Sequence, residues 1–130
     1  MRPSQIGQLD HTIILCRRMP ETRTFYGDVL GLAIAEERAN WVSFQVGATL
    51  LTLRPRGVWS VCDDGPLPAG SAALQLAFRV PREAVDGWHA DLLAKGVPIL
   101  RGPTDLPQWR HRTLFFRDPE ENIIELYAEY

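Results

Sequence analysis

The sequence predicts an α+β fold made of two β-α-β-β-β modules, and three observations point to it. First, the periodicities repeat in order: a β-branched run, a helical three-to-four spacing and three short strand-like runs occur before residue 55 and again after residue 72. Second, each helical run stops at a glycine, Gly31 and Gly96. Third, laying the halves together matches His11 with Gln75 and the run TLLTL at 49–53 with NIIEL at 122–126. The offset grows along the halves because the second carries a longer loop.

Residues 9–16, LDHTIILC, are β-branched and apolar and read as a strand. Residues 19–30 place Thr22, Phe25, Tyr26, Val29 and Leu30 at helical spacing, with Pro20 in a first turn that needs no N–H from it. Three short strands follow at 32–37, 41–46 and 49–54, joined by Arg38-Ala39-Asn40 and Gly47-Ala48, so an antiparallel meander is expected. The breakers Pro55, Gly57, Gly65, Pro66, Pro68 and Gly70 make 55–72 a linker. Module 1 is therefore 8–54 and module 2 is 73–128, within one domain of 130 residues. In module 2, residues 73–80 read as a strand. Residues 81–95 read as a helix with Val85, Trp88, Leu92 and Leu93 on its apolar face and His89 towards solvent. Strands are expected at 97–101, 113–117 and 122–127, with a Pro-rich excursion at 102–107 and a turn at Asp118-Pro119.

Composition excludes several functions. Fourteen basic against 16 acidic side chains leave a net charge of −2, without the cationic excess that neutralises phosphates, so neither nucleic acid nor an anionic membrane is an expected partner. No apolar run approaches the roughly 20 residues that span a bilayer, and residues 1–7 lack the apolar stretch of a signal peptide; a cytoplasmic location is expected. Cys16 and Cys62 have no CxxC spacing and are expected as thiols. A chain of this size buries roughly two thirds of its unfolded surface, so a metal would serve chemistry and not folding. No P-loop, dinucleotide fingerprint, nucleophile elbow or Cys-His pair is present.

The runs LDHTIILCRRMPETRTFYGDVLGL, LQLAFRVPREAVDGWHADLLAKGVPI and WRHRTLFFRDPEENIIEL resemble the modules of the vicinal oxygen chelate superfamily of glyoxalases, bleomycin resistance proteins and extradiol dioxygenases. That resemblance covers residues 9–127 and implies curled mixed sheets around a cup, a small-molecule ligand and a homodimer. It also implies a divalent ion (Fe, Mn, Ni or Zn) held by the first and last strands of each module. Those positions carry His11, Thr52, Gln75 and Glu125. Thr52 is a departure, because metal-isomerase members have Glu there. His11, Gln75 and Glu125 remain as an incomplete triad, with Gln where ring-cleaving members have His.

Other residues suit a pocket. Trp41, Trp59 and Trp109 are candidate aromatic walls. His111 is a candidate acid or base at the rim. Trp109 and Arg112 match a Trp-Gly-x-Arg stretch of the family in which Arg110 replaces the Gly. Arg112 is read either as a carboxylate or phosphate ligand or as a surface ion pair. Two functions stay open. One is a metal-dependent lyase, isomerase or dioxygenase in which Glu125 both ligates and moves a proton. The other is a metal-free protein that sequesters a planar aromatic or cationic drug. A purely structural domain is disfavoured, because Glu125 on an apolar strand needs a partner to stay ionised; His11 is the candidate.

Overall fold

The computed structural model describes residues 5–57 and 63–130. Trp59 and Cys62 lie outside them. The chain divides into two compact units, Met1–Gly65 and Pro66–Tyr130.

In the first unit, β1 (His11–Cys16) leads into α1 (Met19–Thr24), then β2 (Ala33–Arg38), β3 (Trp41–Val46) and β4 (Thr49–Pro55). The sheet order is β1-β4-β3-β2, with β1 parallel to β4 and the other pairs antiparallel. The expected helix is only half α-helical. From Phe25–Val29 it widens into a π-turn, in which the Leu30 N–H donates to the Phe25 carbonyl at 2.9 Å. That turn lets the adjacent Phe25 and Tyr26 both face the sheet; their rings meet edge-on at 5.1 Å, and Tyr26 lies 6.3 Å from Phe44. Strand alternation puts Ile14, Cys16, Val42, Phe44, Leu51 and Leu53 on this helix-bearing face, and all are buried.

The second unit repeats the plan. It contains β5 (Gln75–Arg79), a short 3-10 turn (Arg82–Ala84), α2 (Val85–Ala94), β6 (Ile99–Leu106), β7 (His111–Arg117) and β8 (Ile123–Glu129), ordered β5-β8-β7-β6. Phe116, Leu114, Ile124, Leu126 and Ala128 form the buried helix side, with Val85 and Leu92. Each helix stops at a glycine in the left-handed region, a backbone conformation that strains residues with a side chain: φ is 73° at Gly31 and 75° at Gly96. At Gly96 the Val97 N–H reaches the Leu92 carbonyl and the Gly96 N–H the Leu93 carbonyl, satisfying two end carbonyls. At Gly31 the corresponding bond is one residue wider, from Leu32 N–H to Tyr26, because the π-turn precedes it.

Two expectations are corrected. The stretch expected as a Pro-rich excursion is the second half of β6, which runs to Leu106. An edge strand tolerates Pro103, and the register shift between Arg101 and Thr104 absorbs it. His89 is half-buried and not turned to solvent: a Cβ built on Gly102 would sit 3.6 Å from its ring.

The turn at Asp118-Pro119 has a structural job. Asp118 is buried, and its carboxylate accepts from the N–H groups of Glu120 (2.8 Å) and Asn122 (2.9 Å) and from the Asn122 side-chain amide. The Asn122 side-chain oxygen in turn accepts from the N–H groups of Ala73 and Leu74, fixing the entry to β5. In the first unit an ion pair holds the chain after β4. Arg54 and Asp64, both nearly buried, form a bidentate pair at 2.8 and 2.6 Å. Arg54, joined by the Gly57 N–H, holds the Asp64 carboxyl down at about 2.

Candidate functional site

On each sheet the face turned away from the helix carries the polar residues. In the first unit this face holds His11 on β1, Thr52 on β4 and Trp41 and Ser43 on β3, because Ser43 pairs across from Thr52. His11 is exposed, whereas Thr52 and Ser43 are buried. The Ser43 Oγ and Thr52 Oγ1 atoms are 2.8 Å apart, and Thr52 Oγ1 is 3.5 Å from His11 Nδ1. Trp41 is half-buried and lines a hollow of about 510 Å³ at the β2–β3 hairpin with Glu36, Arg38, Ala39 and Asn40. Glu36 and Arg38 pair there at 2.7 Å.

In the second unit the same face holds Gln75, Glu125, His111, Thr113 and Tyr127. Gln75 donates its amide N–H to Glu125 at 3.3 Å. The structure therefore gives the half-buried Glu125 an amide partner from its own unit, where the sequence suggested His11. His111 stacks on Tyr127 with ring centroids 4.7 Å apart, and its Nε2 lies 3.9 Å from Glu129. Glu129 also accepts from Arg79 at 2.8 Å. Thr113 buries its hydroxyl without a hydrogen-bond partner among the described residues, which leaves a donor available to a water or ligand atom.

Arg112 does not share this face. Alternation along β7 puts it with Leu114 and Phe116 on the helix side, where it donates to Asp86 at 2.8 and 3.2 Å and to Asp105 at 2.9 Å. Of the two roles open to it, the ion pair is the one observed. Asp86 and Asp105 hold its guanidinium pKa well above the usual value, and Arg112 in turn holds the Asp86 carboxyl below its usual range. Trp109 is 64% exposed in the turn before β7. Arg110, where the family stretch has Gly, takes the left-handed φ of 54°, so the backbone keeps the shape a glycine would give. Sequence reasoning missed Ser43, Tyr127 and Glu129. Strand alternation counted from Glu125 would have placed Tyr127 and Glu129 on this face, whereas Ser43 needed the β3–β4 register.

A family model described as the glyoxalase/bleomycin resistance protein/dioxygenase superfamily matches residues 8–126. The chain belongs to that superfamily. It is 34% identical over 107 residues to the uncharacterized protein YraH of Bacillus subtilis, covering 79% of this chain and 84% of that protein. A glyoxalase/bleomycin resistance protein/dioxygenase from Nocardioides matches in structure at a TM-score of 0.79, 18% identity, 98% of this chain and 86% of that one. A lactoylglutathione lyase from Agrobacterium tumefaciens matches at a TM-score of 0.75, 20% identity and 96% of both chains. At these identities the structural matches speak for the fold alone. No helix among the described residues is long and apolar enough to cross a membrane.

Proposed function

We propose that this member of the superfamily binds a small molecule without a resident metal ion, in the manner of the sequestering branch. The carrying observation is the environment of Thr52. Where metal-isomerase relatives place a carboxylate, this chain has a fully buried neutral hydroxyl bonded to Ser43 at 2.8 Å. A hydroxyl is a poor ligand for a divalent ion, and among the described residues the side-chain hydrogen-bond partners of Thr52 are Ser43 and His11, neither an acid. The second neutral position, Gln75, turns its amide N–H towards Glu125. Among the described residues no three His, Cys, Asp or Glu side chains gather as a metal cluster. With neutral side chains at Thr52 and Gln75, the four family positions do not fit a four-ligand ion site.

In this reading each unit offers its own contacts: the first has Trp41 beside its hollow, and the second has the His111–Tyr127 stack and the Thr113 hydroxyl, unpartnered among the described residues, giving the aromatic surface and polar groups that small-molecule binding needs. Trp109 and Trp59 remain candidate walls. A homodimer and a cytoplasmic location belong to the same proposal. One observation favours the alternative of a lyase, isomerase or dioxygenase using Fe, Mn, Ni or Zn: Gln75 and Glu125 lie side by side and offer oxygen donors on one face.

The test is a screen of planar aromatic amines and aromatic carboxylates by thermal shift and tryptophan quenching, with and without a chelator. Binding that the chelator leaves unchanged, without turnover, is expected. Metal-dependent product formation would overturn the proposal.

A further inference from the structure

We infer that Ser43 and Thr52 form a hydroxyl relay that fixes His11 as an Nε2–H donor, making it a recognition point for a ligand oxygen instead of a metal ligand. This deepens the metal-independent reading and rests on it for the identity of the site.

The argument follows the protons. Ser43 and Thr52 are both buried, at 1% and 0% exposure, so each hydroxyl proton needs an acceptor inside the protein. Among the described residues their side-chain contacts are with each other at 2.8 Å and, for Thr52, with His11 Nδ1 at 3.5 Å. Two directions can be drawn. If the His11 Nδ1–H donates to Thr52, one hydroxyl proton, that of Ser43 or that of Thr52, is left in the interior with no acceptor among the described residues. If Ser43 donates to Thr52 and Thr52 donates to the Nδ1 lone pair, every proton is used. Only the second direction satisfies the set.

The consequence falls on the far side of the ring. A neutral imidazole that accepts at Nδ1 carries its proton on Nε2. An Nε2–H has no lone pair to offer a cation. A histidine that binds a metal is held the opposite way, with its other ring N–H donating to a carboxylate or carbonyl. Here the neighbour is itself a donor. His11 is exposed, so its Nε2–H is available to a ligand acceptor: a carboxylate, a phosphate or a carbonyl oxygen.

Nitrogen-15 NMR of the full chain reads the tautomer directly. Wild type is expected to show His11 as the Nε2–H form. Thr52→Val is expected to raise the Nδ1–H population about fivefold, the factor that one hydrogen bond of ordinary strength commands. Thr52→Ser, which keeps the hydroxyl, should restore the wild-type pattern and guards against a merely structural effect. Sodium benzoate or inorganic phosphate should move the His11 Nε2 resonance, and whichever acts identifies the acceptor class. An Nδ1–H tautomer in wild type, a ratio indifferent to Thr52→Val, or an Nε2 resonance unmoved by both anions would overturn the inference. Zn(II) separates the two readings. Zn(II) binding with the Nε2–H form intact would defeat the metal-independent proposal and leave the relay standing, whereas Zn(II) displacing the Nε2 proton would defeat the relay.

Discussion

Thr52 in the first unit and Glu125 in the second hold matched places on the last strand of their sheets, yet their surroundings differ in kind. Thr52 sits in a chain of hydroxyls leading to His11, whereas Glu125 presents a carboxyl group that takes a hydrogen bond from the Gln75 amide. Across the sheet, Ser43 faces Thr52 and Phe115 faces Glu125. The helix-bearing faces differ far less. Phe44 and Phe116 occupy equivalent, fully buried positions opposite Leu51 and Ile124. Each unit also ties its helix to its outer hairpin by an ion pair with the polarity exchanged. In the first, Arg23 of α1 meets Glu37 of β2; in the second, Asp86 of α2 meets Arg112 of β7. One face of each repeat thus carries the folding core, while the other has diverged and, in the proposed function, carries binding.

The largest expected effect tests the shared face. Phe44→Ala and Phe116→Ala should each lower stability by about 3–5 kcal/mol, because each empties a fully buried aromatic site. Chemical denaturation checks this, and a small loss at one position alone would break the equivalence of the two cores. The ion pairs give a smaller and unequal effect. Arg112→Met should cost measurably less than the core truncations, since it leaves only the exposed Asp86 and Asp105 without their shared partner. Arg23→Met, which removes one exposed pair, should lose less. The Arg112 contribution has a pH signature. Because the folded Asp86 pKa is lowered, that contribution is complete above the ordinary carboxylate value of about 3.9 and disappears as pH falls through the lower folded value. Wild type and Arg112→Met should therefore converge in acid; a gap that widens there would contradict the assignment.

Much of the fold was legible because its signals are local. The run at 41–46 appears with its expected limits, and Gly31 and Gly96 stop the helices as a residue free to take positive φ should. The π-turn was not legible, since the same apolar spacing fits a helix of either pitch. The length of β6 was hidden by Pro103, which argues against a central strand but not against the edge position that strand order alone reveals. At the site, His11, Thr52, Gln75 and Glu125 came from the family resemblance, with the internal repeat matching them in pairs. Ser43 was invisible as a partner until strand register placed it opposite Thr52. The two roles of Arg112 separated only when β7 was seen to begin at His111, which fixes the residue to the helix side.

Calorimetric titration of chelator-stripped protein with Mn(II), Ni(II), Zn(II) and anaerobic Fe(II) tests most directly whether the ligand row has lost its metal. No stoichiometric binding of any of the four ions is expected. Binding of one ion per chain that disappears in both His11→Ala and Glu125→Gln would show that the family's metal site survives, and would contradict a metal-independent role.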